Sequence, residues 1–349
     1  MPTADQTMRL SVPPTLWTNL RRHRRSRFGL GMVVVLLLVG FAAPLLASRQ
    51  PIVCRWEDSW HLPAVMDTLN RLPVVGGLLA KSAPFSHPGF DAKTALDAGD
   101  FSIWPPIPFG PLELTDGALQ PPSGAHWLGT DDRGRDVAAR LIHGVAVSVK
   151  VGFLSMLLAG AIGIVIGAIA GYAGGWTDKI LSRFIEVVIC FPTFFLILSV
   201  MVWIKADIDS VIVVIGLTQW TAIARLVRAE FLRLQSADFV AAARCSGASA
   251  GRIILRHMLP GALAPVVVTL SFGVADAVLL EAGLSWLGFG VPTPDPSWGN
   301  MLRSAYGQIR SAPHLVYPPC IAIFVSVMAY HLVGDGLREA LDPKSSVRG

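Results

Sequence analysis

Charged side chains are scarce in this chain. They make up 15% of its 349 residues, where a soluble domain carries about 25%, so too few are present to face water around a globule. Cysteine is scarcer: Cys54, Cys190, Cys245 and Cys320 stand singly. Their spacing gives no disulfide framework and no CxxC metal site, and all four are expected to be packing residues. The phosphate-cradling string GxxxxGK[ST] is absent, which excludes ATP binding through a P-loop. Neither HExxH nor a paired-histidine metal signature occurs. One string, GASAG over residues 247–251, matches the GxSxG nucleophile elbow around Ser249. That motif needs a strand before it, whereas an Ala-rich helical stretch precedes it here. No catalytic residue, metal or cofactor is expected.

What the chain has instead is apolar length. Hydrophobic residues reach 52% and the mean hydropathy is +0.54, which excludes an ordinary cytosolic enzyme and a disordered chain. The net charge of +5 invites a nucleic-acid partner. Position argues against one, because the basic residues sit beside apolar runs instead of forming a polar, aromatic-interleaved surface.

Six spans are expected: 28–47, 148–172, 184–204, 210–226, 263–284 and 315–334, each near the length that crosses about 30 Å of hydrocarbon. The first follows Arg21, Arg22, Arg24, Arg25 and Arg27 and reads as an uncleaved helix. Residues 1–27 and the tail 341–349 are then cytoplasmic, and residues 48–147 form an external insert with 11 acids against 8 Lys and Arg. The core, 148–340, encloses a cytoplasmic loop at 225–262. That loop carries Arg225, Arg228, Arg233, Arg244, Arg252 and Arg256 against Glu230 and Asp238. Lys and Arg concentrate on the side where the positive-inside rule wants them. The fold class is an all-α membrane protein in the bacterial cytoplasmic membrane, with both termini inside. Trp56, Trp60, Trp104 and Trp127 either anchor the insert at the interface or fill its small core.

Within the spans, Gly163, Gly167 and Gly171 stand four apart on one face and suit backbone-to-backbone contact with another helix. Glu186, Asp276 and Glu281 lie in or near apolar runs. A carboxylate there is costly unless it meets a cavity or a partner, so the three are candidates for a translocation path, the alternatives being a snorkelling or capping place at the interface for Glu186 and Glu281 and a helix contact for Asp276. Residues 236–249, SADFVAAARCSGAS, predict a short helix capped by Asp238 or Ser236 and stopped at Gly247. Phe239, Val240, Ala242 and Ala243 give it an apolar side that nothing in the chain obviously covers. Such a helix suits docking into a groove on a partner.

That loop resembles the EAA loop of ABC importer permeases. The matching residues are Ala241, Ala242, Ala243, Gly247, Leu259 and Pro260, with Ala241 where the family typically has glutamate. HWLGTDDRGRD (126–136), GYAGGWTD (171–178), CFPTFFLIL (190–198), LRHMLPGALAP (255–265), EAGLSWLGFGVPTPDPSWGNML (281–302) and GDGLREALDP (334–343) look like the dipeptide and oligopeptide importer permeases. The first span resembles the extra N-terminal helix of the second permease subunit in such systems. VCRWEDSWHLP and IWPPIPFG in the long insert resemble the microcin C-type peptide importers.

The resemblance implies a heterodimer with a second permease, two ATP-binding subunits, an external substrate-binding protein, a peptide cargo and a lipid surround. ATP hydrolysis would enter through the 236–249 helix, with Asp238, Ala241, Ala242, Ala243, Gly247, Leu259 and Pro260 as the coupling residues. The reading from another class is an ion-coupled carrier or channel that uses Asp276, Glu186 and Glu281 as a relay and needs no nucleotide. The EAA-like loop separates the two, since a carrier has no use for it.

Overall fold

The computed structural model describes residues 24–56, 59–70, 92–95, 101–205 and 207–341. Arg21, Arg22 and the tail beyond Leu341 lie outside that set. Four helical stretches among the described residues are long and apolar enough to cross a membrane: Val137–Ala173, Ile208–Gln235, Ala250–Leu287 and Pro313–Leu341.

The first apolar run forms α1 (Arg24–Phe41), then a one-turn helix over Ala43–Leu46 with Pro44 in its first turn. Three arginines open α1, and its 18 residues do not reach the length and apolarity of the other four. The expected second span is the C-terminal part of α2 (Val137–Ala173), which starts eleven residues earlier because Asp136 caps it, Oδ1 accepting the N–H of Ala139 at 2.7 Å.

The expected third span departs most from expectation. It is two helices, α3 (Gly175–Ile189) and α4 (Thr193–Met201), meeting at 78°. Pro192 sits at the break, where it has no N–H to continue the ladder and its ring crowds the preceding turn. Counted as one bent span, the pair raises the total to five. α5 (Ile208–Gln235) and α7 (Leu259–Leu287) overrun the expected spans at both ends, with α6 (Asp238–Cys245) between them. α8 (Trp298–Gly307), not foreseen, is started by a capping box of Ser297 and Asn300. α9 (Tyr317–Leu341) closes the chain.

α2 is the centre of the bundle, packed on α5 and α7, while α9 lies between α7 and α1. Lipid is as apolar as leucine, so fit rather than water exclusion holds such helices together. A Cβ on Gly163 would stand 2.7 Å from Ile223 Cβ, on Gly167 2.5 Å from the Ala224 carbonyl oxygen, and on Gly171 2.5 Å from Phe231 Cβ. The glycine stripe therefore seats α5 directly against the backbone of α2.

The all-α expectation needs one amendment. Part of the insert is a three-stranded antiparallel sheet, β2 (Ser59–His61), β1 (Val53–Trp56) and β3 (Ser102–Ile103) in that order. Trp56 and Trp104 pack on buried Cys54 and Ala92, whereas Trp60 and Trp127 are exposed. Cys54 is the packing residue the sequence suggested; Cys190, Cys245 and Cys320 are exposed.

Candidate functional site

The two ends of the bundle differ in character. One carries α6, the C-terminal ends of α2 and α5 and the start of α7. The other carries the N-terminus of α2, the C-terminus of α7, the 126–136 loop and α8.

At the first end α5 continues through Gln235, so the expected loop is shorter and better ordered than its sequence suggests. Neither expected cap forms. Ala237 is the N-cap residue, Ser236 Oγ turns back to donate to the Arg233 carbonyl at 3.0 Å, and Asp238 is the exposed first residue of α6. Its charge there suits the positive end of the helix. Gly247 (φ +75°) ends α6 in a left-handed turn. Its N–H reaches the Arg244 carbonyl at 3.0 Å, and the Ala248 N–H reaches the Ala243 carbonyl at 3.1 Å. This is a Schellman closure, and Ala243 and Ala248 both rest on the core beneath it.

The apolar side of α6 divides in two. Val240 is fully buried and Ala243 is packed, while Phe239 (45% exposed), Ala241 and Ala242 face outward. The helix is thus fastened on one face and bare on the other. Its anchorage runs to α2: Gln235 Nε2 donates to the carbonyls of Gly171 and Tyr172, both at 2.7 Å, occupying acceptors that the end of a helix leaves open. The Arg244 guanidinium lies 5.7 Å from the Tyr172 ring centroid. Arg228 grips Asp178 with both nitrogens, Nη2 to Oδ2 at 2.7 Å, tying the start of α3 to α5.

Leu259 and Pro260 follow a π-turn over Ile253–Met258, in which the Leu259 N–H reaches back to the Ile254 carbonyl. Proline explains the widening, because Pro260 has no N–H and its ring displaces the carbonyl four residues earlier. Leu259 packs on the core and Pro260 is exposed. The GASAG string follows α6 directly, with Ser249 exposed and no strand ahead of it.

The three acids are not brought together by any hydrogen bond or ion pair among the described residues. Glu186 is exposed on α3 and paired with Arg183 at 2.7 Å. Asp276 is exposed on α7, within electrostatic reach of His331 on the neighbouring α9. Glu281 is fully buried and accepts from Ser285 Oγ at 2.6 Å, while its Oε2 has no hydrogen-bond partner.

The opposite end holds a buried polar cluster that is visible in the sequence only as one of the family strings. Asp131 accepts the N–H groups of Arg133 and Arg135 at 2.9 and 3.0 Å and the Arg135 Nε at 2.8 Å. Arg140 Nε stands 3.5 Å from the same carboxylate, and its Nη1 donates to the carbonyls of Pro111 (3.1 Å) and Pro294 (3.3 Å). His126 Nδ1 lies 2.8 Å from Asp136. Ser285 Oγ takes the Val291 N–H at 2.9 Å, and Trp298 Nε1 donates to the Leu141 carbonyl at 3.1 Å over Gly144. Insert, α2, α7 and α8 are thereby locked into one cap. The density of Asp and Arg in TDDRGRD was the available signal for it, along with the S-x-x-N box before α8.

Residues 163–347 match the family described as "binding-protein-dependent transport system inner membrane component". The Escherichia coli inner membrane ABC transporter permease protein YejE is 32% identical over 335 residues, 95% of this chain and 97% of that protein. The dipeptide transport system permease protein DppC of Alkalihalophilus pseudofirmus is 38% identical over 65% of this chain and 74% of its own. The glutathione transport system permease protein GsiD of Pectobacterium atrosepticum is 40% identical over 64% and 74%. A solved inward-facing form of the MetNI methionine ABC transporter aligns at TM-score 0.50 and 20% identity, over 58% of this chain and 96% of that one, which speaks to the fold alone. The bare, firmly anchored helix α6, the ordered family strings and these matches converge: the chain belongs to the binding-protein-dependent transport system inner membrane components, the permease subunits of ABC importers.

Proposed function

We propose that the chain is one permease of a heterodimer that imports peptides or peptide-like compounds across the bacterial cytoplasmic membrane. Two ATP-binding subunits work from inside, and an external binding protein delivers cargo. Residues 48–147 are external and both termini are cytoplasmic, in keeping with the six loop arginines. The observation that carries the reading is α6: fastened to α2 and α5, bare on its outer face, and closed by a left-handed glycine, it is built to be held in a groove. Motion of a held α6 passes through Val240, Gln235 and Arg244 into the α2–α5 pair and alternates access to a path between the two permeases. The dipeptide and glutathione relatives supply the cargo class.

Asp276 fits the same picture. A carboxylate on the outer face of a spanning helix is costly against lipid, so that face belongs to the path or to the second permease. The relay needed by an ion-coupled carrier gains no support from three acids with separate surroundings.

The test is co-reconstitution in proteoliposomes. Uptake of a dipeptide is expected only with the partner permease, the ATP-binding subunits and the binding protein present, and the chain alone should neither bind nor hydrolyse ATP. Proton-driven uptake by the chain alone would refute the proposal.

A further inference from the structure

A cleft of about 590 Å³ opens beside the buried cap, bounded by Asp132 and Arg133, the end of α7, the 288–293 loop and one side of α8. Volumes of this order accommodate small ligands. Its lining is polar, and the state of each polar group matters. Ser285 is engaged on both sides, by Glu281 and by the Val291 N–H. The Asn300 amide is engaged by the Asp295 carbonyl at 2.7 Å and by the Ser297 N–H. These groups hold the walls.

The charged groups are not so occupied. Neither the Arg133 nor the Arg303 guanidinium has an ion pair or hydrogen bond among the described residues, and Asp132 meets only Arg135, at 4.0 Å. Arg303 lies over the backbone of Gly288 (φ +93°), its Cζ 2.9 Å from where a Cβ would stand. The missing side chain gives the guanidinium its place at the cleft wall. Two unpaired cations and one weakly engaged carboxylate thus line a concavity in which Ser285 and Asn300 are engaged while the Thr293 and Ser304 hydroxyls are open to a ligand.

We propose that this cleft holds a short peptide in transit, with Arg133 and Arg303 gripping its C-terminal carboxylate and Asp132 receiving its N-terminal ammonium. The inference rests on the peptide-import reading above. Guanidinium and carboxylate form charge-assisted, often paired hydrogen bonds, which discriminate sharply against an uncharged amide.

The probes are dialanine and its C-terminal amide, offered to the complete reconstituted importer. The binding protein is saturated with each, and its loading is measured independently. Wild type is expected to import the acid about tenfold faster than the amide, the order of effect that charge-assisted bonds supply. Arg303→Ala and Arg133→Ala should each bring the ratio towards one, and Arg303→Lys should keep part of it. A folding defect lowers uptake of both probes equally and leaves the ratio intact, so the ratio reads the cleft alone. A wild-type ratio of one, or alanine variants that retain the wild-type ratio, would overturn the proposal. So would an unchanged ratio with loss of binding-protein-stimulated ATP hydrolysis, which would make the arginines a protein-docking surface. No uptake of either probe by wild type would instead remove the peptide-import reading itself.

Discussion

At Gly247 the backbone has φ +75°, and no atom lies within 4 Å of a Cβ built there. Space is therefore no obstacle to a side chain; conformation is, at about 1–2 kcal/mol for an ordinary residue and more for a branched one. Gly247→Val should undo the Schellman turn and reduce recovery of the ATP-binding subunits on co-purification, while the melting temperature of the permease pair falls by no more than a few degrees. Gly247→Asn, which tolerates the left-handed region, should restore recovery. Normal recovery with valine would show that the turn is not needed for docking. Ala241→Glu should fold normally, since position 241 is exposed at the free face of α6; a lowered melting temperature would contradict that. Gly247 was legible because its conformation is local and glycine is the residue that adopts it. The cap of α6 was not. Ser236 and Asp238 are both good capping residues, and tertiary placement left the role to Ala237, which offers no side chain for it.

Between elements, the glycine stripe of α2 was legible as a contact face from its four-residue period. Its partner was not, because nothing in the sequence says which of several apolar helices lies opposite. The answer, α5, came with bulky Ile223, Val227 and Phe231 set against the three glycines. Gly167→Ile should overpack that seam, costing about 1–3 kcal/mol, and lower the melting temperature of the detergent-solubilised permease pair by several degrees. The same change at Gly31, which has no neighbour within 4 Å, should leave the melt unchanged. Equal melts for both variants would mean the seam is not a stability determinant. The break at Pro192 was readable in principle, since an X-Pro step biases against helix. Hydropathy passes over it, because the residues on both sides of the bend are equally apolar.

At the scale of the molecule, the proposed sidedness rests on the arginine bias and has a direct test. In a background lacking native cysteines, Ser123→Cys should react with an impermeant maleimide in intact spheroplasts. Lys179→Cys should react only after the membrane is opened; both positions are exposed in the structure. The reverse pattern would invert the topology. The four long spans and the family strings were readable along the chain because each is contiguous. The cap was hidden for the opposite reason, as Pro111, Asp131, Arg140, Pro294 and Trp298 come from segments far apart in sequence. α2 joins the two ends. Its 37 residues extend about 55 Å at 1.5 Å per residue, well beyond about 30 Å of hydrocarbon. Gln235 and Arg244 hold one tip and Asp136 begins the other, so a tilt of the helix would work as a lever arm with its load far from its handle. A tilt of about 10° at the α6 end sweeps the opposite tip through about 10 Å, given that length. A small tilt imposed at the α6 end would thus become, at the far tip, a movement comparable with the width of a dipeptide.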